Sequence, residues 1–194
     1  MAKRKAEIRR KTNETDIRAE LHLDGQGCYE IDTGIGFFDH MLTHLSKHSR
    51  MDLTVKAKGD LSVDAHHTIE DVGICLGQAF LEALGDKKGI ARYGHSVVPM
   101  EDAKAVVAVD LSGRPYLVFH AQFPSGKIGE FDTECVEEFL RSFSTAGKFN
   151  LHAEVPYGSN SHHIAEAIFK ALGQALGAAA AITGSQLPST KGVL

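Results

Sequence analysis

The 194-residue chain has no tryptophan, five prolines and three cysteines. Cys28, Cys75 and Cys135 stand far apart with no CxxC pair, so a disulfide framework and a thiolate zinc site are both excluded, and the three read as buried, reduced packing residues. No apolar run approaches the roughly 18 residues that cross a bilayer. The basic start MAKRKAEIRRK has no apolar segment behind it to act as a signal peptide. An excess of one charge is missing too: 21 Lys and Arg against 25 Asp and Glu leave a net charge of −4, which offers no general attraction to nucleic acid or to an anionic membrane. Hydrophobic residues at 43% and charged residues at 24% exclude a disordered or fibrous chain. The expectation is a soluble cytoplasmic protein with neither a nucleic-acid partner nor a membrane.

What the chain does have is histidine, 11 in all, gathered around His40, His66 to His67 and His162 to His163. Two of these stretches belong to a repeat. HHTIEDVGICLGQAF from His66 and HHIAEAIFKALGQAL from His162 match at seven of fifteen positions, at an offset of 96. HMLTHLS from His40 aligns with EFLRSFS from Glu138 at an offset of 98, and LDGQGCYEI from Leu23 aligns more weakly with LSGRPYLVF from Leu111. Ordered matches of this kind indicate a duplicated unit of about 95 residues. The halves are residues 1–88 and 89–184, followed by a tail at 185–194. No linker rich in Pro, Ser or Gly separates them, so one compact body over 1–194 is expected.

Each half reads as strands, helix, strand, helix. Ile17, Ala19, Leu21 and Leu23 alternate with polar residues as a half-buried strand does, and a short strand follows at 28–32. Phe38, Met41, Leu42 and Leu45 carry helical spacing over 37–48, Met51 to Ala57 alternate again, and a long helix follows over about 64–84. In the second half strands fall near 105–111, 115–123 and 149–155, with helices near 133–146 and 161–182. The fold class is α/β, a layered sandwich of sheets packed on helices built by internal duplication.

In HHxxE the first histidine and the glutamate are four apart, so His66 and Glu70 share a helix face while His67 is turned away by about 100°. His162, His163 and Glu166 repeat the arrangement. Under an approximate two-fold, His66 and Glu70 would meet His163, and His162 and Glu166 would meet His67, with the aligned pair His40 and Glu138 completing two equivalent metal sites. Imidazole and carboxylate donors without sulfur suit Mn, Fe or Zn. A solvated helix face has no reason to repeat the same three residues in both halves. His40, His44 and His48 form a stripe with a spacing of four, in which His44 reads as a partly exposed surface histidine. His22, His95, His120 and His152 have no repeat partner and read as polar strand-surface residues.

FFDHMLTHLSKHS, DAHHTIEDVGICLGQAF, GIARYG, DLSGRPYL, GSNSHHIAEAIFKALGQAL and LPSTKGVL together resemble the imidazoleglycerol-phosphate dehydratase family of histidine biosynthesis, from about Glu14 to Leu194. The resemblance implies two similar α/β halves and a shell of 24 identical subunits. It also implies an active site with two Mn²⁺ ions, shared between neighbours, that dehydrates D-erythro-imidazole glycerol phosphate to imidazole acetol phosphate. By position its metal ligands would be His40, His66, His67, Glu70, His162, His163 and Glu166. Glu138 stands where many members have His and is kept as a ligand, because a carboxylate binds Mn well. MEDA from Met100 is a second departure, since members usually read Asp then Glu, and Glu101 and Asp102 receive no role.

The proton to be removed lies on a carbon bearing a hydroxyl, with no adjacent carbonyl to stabilise a carbanion. If the substrate's imidazole is held as imidazolate, the ring expels the neighbouring hydroxyl and leaves a diazafulvene whose next carbon is acidic. A positioned carboxylate must then take that proton. By the resemblance this is Glu14, which from its residues alone is a solvated charge ahead of a strand. Glu70 and Glu166 would act catalytically through the metals. Arg92, Arg114, Lys170, Ser189 and Lys191 would hold the phosphate, arginine supplying bidentate geometry. Two other classes fit the same ligands: a dinuclear phosphoesterase, which would release inorganic phosphate, and a non-catalytic metal-dependent assembly protein, which would turn over nothing.

Overall fold

The computed structural model describes residues 4–194, so the first three residues of the first half lie outside it. The first half contains β1 (Lys5–Lys11), β2 (Thr15–His22), β3 (Tyr29–Asp32), α1 (Gly36–Ser49), β4 (Asp52–Gly59) and α2 (His66–Leu84). The second contains β5 (Tyr93–Met100), β6 (Ala103–Asp110), β7 (Tyr116–His120), a small hairpin of β8 (Lys127–Ile128) and β9 (Phe131–Asp132), α3 (Glu134–Gly147), β10 (Asn150–Tyr157) and α4 (Ser161–Ala180). The sheets run β1-β2-β4-β3 and β5-β6-β10-β7. Each closes with a parallel pair, β3 on β4 and β7 on β10, so the duplication extends to strand order and direction.

The period-two pattern accounts for the strands. Thr15, Ile17, Ala19 and Leu21 of β2 point inward, as do Leu53 and Val55 of β4 opposite Leu21 and Ala19. Helix α1 buries Phe38, Met41, Leu42 and Leu45 and stops at Arg50, whose φ of +62° takes the left-handed conformation common at helix ends. Helices α2 and α4 are apolar nearly all round. Each is covered by its own sheet on one side and by a helix of the other half on the other, α2 by α3 and α4 by α1. Phe139 lies at this junction, with ring centroids 5.3 Å from both Phe38 and Phe169.

Two glycines record how closely the helices cross. A Cβ on Gly77 of α2 would meet Phe143 O at 2.5 Å, Gly147 N at 2.7 Å and Ala146 Cβ at 2.8 Å, all on α3. A Cβ on Gly173 of α4 would meet Leu45 O, Ser49 N and His48 Cβ on α1 at 2.9, 3.1 and 3.1 Å. The contacted residues occupy equivalent places, so the two crossings are copies of one another.

The structure adds β1, β5 and the β8–β9 hairpin to the elements expected. Strands β1 and β5 are sheet edges. Among the residues of β1 only Ala6 is buried, and the inward side of β5 is made of Gly94, Ser96 and Val98, so neither shows an apolar alternation. Cys75 and Cys135 are buried as expected. Cys28 is exposed, a correction: it begins the turn into β3, where its backbone N–H donates to Asp52 while its side chain faces out. Among the described residues no helix is long and apolar enough to cross a membrane.

Candidate metal centre

Helix α4 starts at the metal motif because Asn160 caps it, its side-chain oxygen accepting from the backbone N–H groups of His162 and His163. At the start of α2 the Asp64 carboxylate accepts the His66 N–H. Since α1 crosses α4, His40 and His44 of its histidine stripe meet Glu166 in the first turns of α4. His40 Nε2 lies 3.2 Å and His162 Nε2 3.1 Å from the same Glu166 oxygen, Oε2. Among the described residues these three form the one group whose ligand atoms all lie within 4.8 Å of one another.

The other oxygen of Glu166 faces Lys170 and His44. Lys170 Nζ lies 2.6 Å and His44 Nε2 3.4 Å from Oε1. Burial would raise the Glu166 carboxyl, but the Lys170 hydrogen bond, His44 and His162 outweigh it and hold it at about 2. His44 is therefore not a surface histidine. Its ring is turned into the α1–α4 interface, and burial lowers its pKa to about 4 against the attraction of Glu166. It remains neutral at pH 7, with Nε2 3.2 Å from His40 Nε2.

The α2 motif has a different neighbourhood. Asp60 Oδ2 lies 3.0 Å from His67 Nδ1 and raises the pKa of that imidazole, while Glu14 Oε1 is 4.0 Å from His67 Nε2. His66 is exposed and Glu70 half-buried on the next turn. Glu138 is half-buried on α3, the helix that packs on α2. Within one chain, then, His162 and Glu166 meet His40; His67 is not in that group, and His66, Glu70 and Glu138 form no three-ligand group of their own among the described residues. A cleft of about 830 Å³ opens beside His40. Its walls are the start of α1 with His40, the approach to α2 through Ala65, and the β8–β9 hairpin.

The donor set fits a borderline or hard divalent ion. Imidazole nitrogens and carboxylate oxygens converge without sulfur. Burial pushes the Cys75 thiol up to about 12 and the Cys135 thiol to about 11, so neither is a thiolate at neutral pH.

The residues proposed for phosphate separate into two places. Arg92, at φ +72°, donates to both carboxylate oxygens of Asp110 and to the Pro188 carbonyl. Next to Pro188, the Ser189 hydroxyl donates to the Val193 carbonyl and accepts the Lys191 N–H. Arg114 is exposed beside Gly113, against which Leu194 lies. Lys170 stands apart from these four, beside Glu166.

Two groups that sequence reasoning passed over are Asp60 and Asp102. Asp102 Oδ1 lies 2.5 Å from His163 Nδ1, and Oδ2 accepts from Ser159 N, Ser159 Oγ and Asn160 N. The His163 ring and these donors hold its carboxyl far below the usual range. Asp60 lies seven residues before His67, in the loop that leads from β4 to α2, whereas Asp102 is 61 residues from His163; the departure at MEDA was the one visible signal of the second.

Comparison with known proteins gives the chain's relatives. The sequence profile described as imidazoleglycerol-phosphate dehydratase matches residues 33–176. The chain is 59% identical over 192 residues to the imidazoleglycerol-phosphate dehydratase of Desulforudis audaxviator, covering 98% of each chain. It is also 59% identical over 193 residues to that of Bacillus licheniformis, covering 98% of this chain and all of the relative. The crystal structure of the Staphylococcus aureus enzyme of that name superposes with a TM-score of 0.83 at 41% identity, covering 93% of this chain and 99% of that one.

Proposed function

The chain belongs to the imidazoleglycerol-phosphate dehydratase family, and from that membership we propose that it is a hydro-lyase of histidine biosynthesis acting at a dinuclear Mn²⁺ centre. It converts D-erythro-imidazole glycerol phosphate to imidazole acetol phosphate and water. The observation that carries the metal reading is the convergence of His40, His162 and Glu166 from two helices on one point, beside a second HHxxE motif. His66, His67, Glu70, His163 and Glu138 are proposed as the further ligands. Because one chain assembles three ligands at one place and leaves the rest dispersed, the sites are completed between copies of the chain. The exposed side chains Tyr93, Val97, Tyr116 and Tyr157 of the second sheet support assembly, to a shell of 24 subunits on this reading.

Bound Mn²⁺ supplies Lewis acidity and a template for the substrate's imidazole. The residues of this chain do the rest. Arg92, Arg114, Ser189 and Lys191 hold the phosphate at the tail end of the site. Lys170 keeps Glu166 ionised, and the ionised carboxylate is the form that binds a cation. Loss of the hydroxide next to the ring leaves the diazafulvene. Glu14 then takes the proton from the adjacent hydroxyl-bearing carbon, giving an enol that becomes the ketone; proton and hydroxide together make the water released. Glu14 is exposed, and among the described residues its carboxylate has no hydrogen-bond partner, with His67 Nε2 4.0 Å away. It is thus available as a base. The test is turnover of imidazole glycerol phosphate by metal-free protein with and without added Mn²⁺. A new ketone that depends on Mn²⁺ is expected; inorganic phosphate instead would make the protein a phosphoesterase, and no turnover in any metal state an assembly protein.

A further inference from the structure

The duplication that supplies two HHxxE helices also supplies two hairpin-turn carboxylates, and they are used differently. The β1–β2 turn carries Glu14 and the equivalent β5–β6 turn carries Asp102, each beside the second histidine of its own half. Asp102 faces Nδ1 of His163 at 2.5 Å, whereas Glu14 faces Nε2 of His67 at 4.0 Å. The other oxygen of Asp102 takes Ser159 N at 2.5 Å, Ser159 Oγ at 2.7 Å and Asn160 N at 3.0 Å. Asn160 in turn caps α4 through the N–H groups of His162 and His163. A carboxylate pinned on both oxygens is poorly placed to move a proton but well placed to orient a ring.

An ionised carboxylate accepts from Nδ1 only when that nitrogen carries the hydrogen. The lone pair of a neutral His163 then sits on Nε2. In the first half the corresponding bond to His67 Nδ1 is made by a different residue, Asp60, at 3.0 Å. We infer that Asp102 is a positioning residue that fixes His163 as the Nδ1–H tautomer with Nε2 ready to ligate a metal, and that Asp60 performs this task for His67, which leaves Glu14 unencumbered. Carboxylates behind ligating histidines typically contribute ten- to a hundredfold in metal affinity. The inference rests on the metal reading above.

Three measurements test it. Two-bond ¹H–¹⁵N correlation spectra of the metal-free wild-type chain at pH 8.5, with His163 assigned by its loss in His163→Gln, should show Nδ1–H; the Nε2–H tautomer overturns the proposal whether or not any variant folds. Calorimetric Mn²⁺ titration of Asp102→Asn should show at least a tenfold loss of affinity, with Asp102→Glu recovering part of it. Asp86→Asn, an exposed carboxylate away from the site, should bind as wild type does. Wild-type affinity in Asp102→Asn overturns the positioning role. A wild-type chain that binds no Mn²⁺ overturns the metal reading instead, and the tautomer then still decides the hydrogen bond.

Discussion

Lys170→Met removes the ammonium that lies 2.6 Å from Glu166 Oε1 while keeping most of the length and apolar stem of the side chain. The Glu166 side chain is 7% exposed, so solvent screens little of the interaction. Its carboxyl is held at about 2 against an ordinary 4.5, a depression worth about 3 kcal/mol at 1.36 kcal/mol per pKa unit. Lys170 is the foremost of the groups opposing burial, with His44 and His162 behind it, so its removal should cost about 2–3 kcal/mol at pH 7. That is at or just below the range for breaking a buried pair. A carboxyl depressed in the folded state stabilises the fold above its unfolded value and loses that contribution as pH falls towards the folded one. The difference between wild type and variant should therefore be full at pH 7, shrink below about pH 4.5 and be small near pH 2. Urea unfolding of metal-free protein followed by far-ultraviolet circular dichroism measures it, the chain having no tryptophan to report. A difference that is absent at pH 7, or that does not change with pH, would refute the reasoning.

Glu14→Gln keeps size and hydrogen bonding but removes basicity; kcat should fall about a hundredfold with Mn²⁺ content unchanged, and near-normal kcat at full occupancy would move the search for the base to His48 or bound hydroxide. If Arg92 holds the phosphate as proposed, Arg92→Met should raise KM more than it lowers kcat, because that contact is made in ground and transition states alike, and it should hasten proteolysis within 185–194 by removing the donor to Pro188. A normal KM with collapsed kcat would put Arg92 at the reacting carbon instead. Gly77→Ala should lose about 2 kcal/mol on denaturant unfolding, since overpacking against the backbone of α3 outweighs the helix propensity gained, and Gly173→Ala should lose less because its contacts are longer; equal or increased stability in Gly77→Ala would show that the crossing yields.

Legibility in the sequence followed the locality of each signal. Helices α1 to α4 and strands β2, β4, β6 and β10 were readable because burial on one or both faces imposes a period on neighbouring residues. The edge strands β1 and β5 were not, since an edge buries few side chains and those in β5 are small or polar. At the site, HHxxE was readable because ligand spacing on a helix is a local property. What the motif meets was not: His40 reaches Glu166 across 126 residues and Asp102 reaches His163 across 61, and only the folded chain brings them together. His44 misled for the same reason. Its spacing was visible, but the helix that covers it lies in the other half.

The two halves have also diverged beneath their hairpins, in a way that bears on the chemistry. In the first half Asp71 of α2 is buried and takes the Thr15 hydroxyl at 2.5 Å and the Arg10 guanidinium at 2.8 Å, tying the base of the β1–β2 turn to the helix that carries His67 and Glu70. In the second half the equivalent positions are Ala167, Ala103 and Val98, all buried and apolar, so no such polar tie is made there. That turn is secured from its tip, by Asp102 bonded to Ser159, Asn160 and His163. A turn anchored at its base can leave its outer carboxylate without partners; a turn anchored through its carboxylate cannot. On the proposed reading, the Arg10–Asp71–Thr15 contacts are thus what leaves the oxygens of Glu14, and not those of Asp102, available. The repeated turn on that reading carries a residue that moves a proton in one half and a residue that holds a ligand in the other.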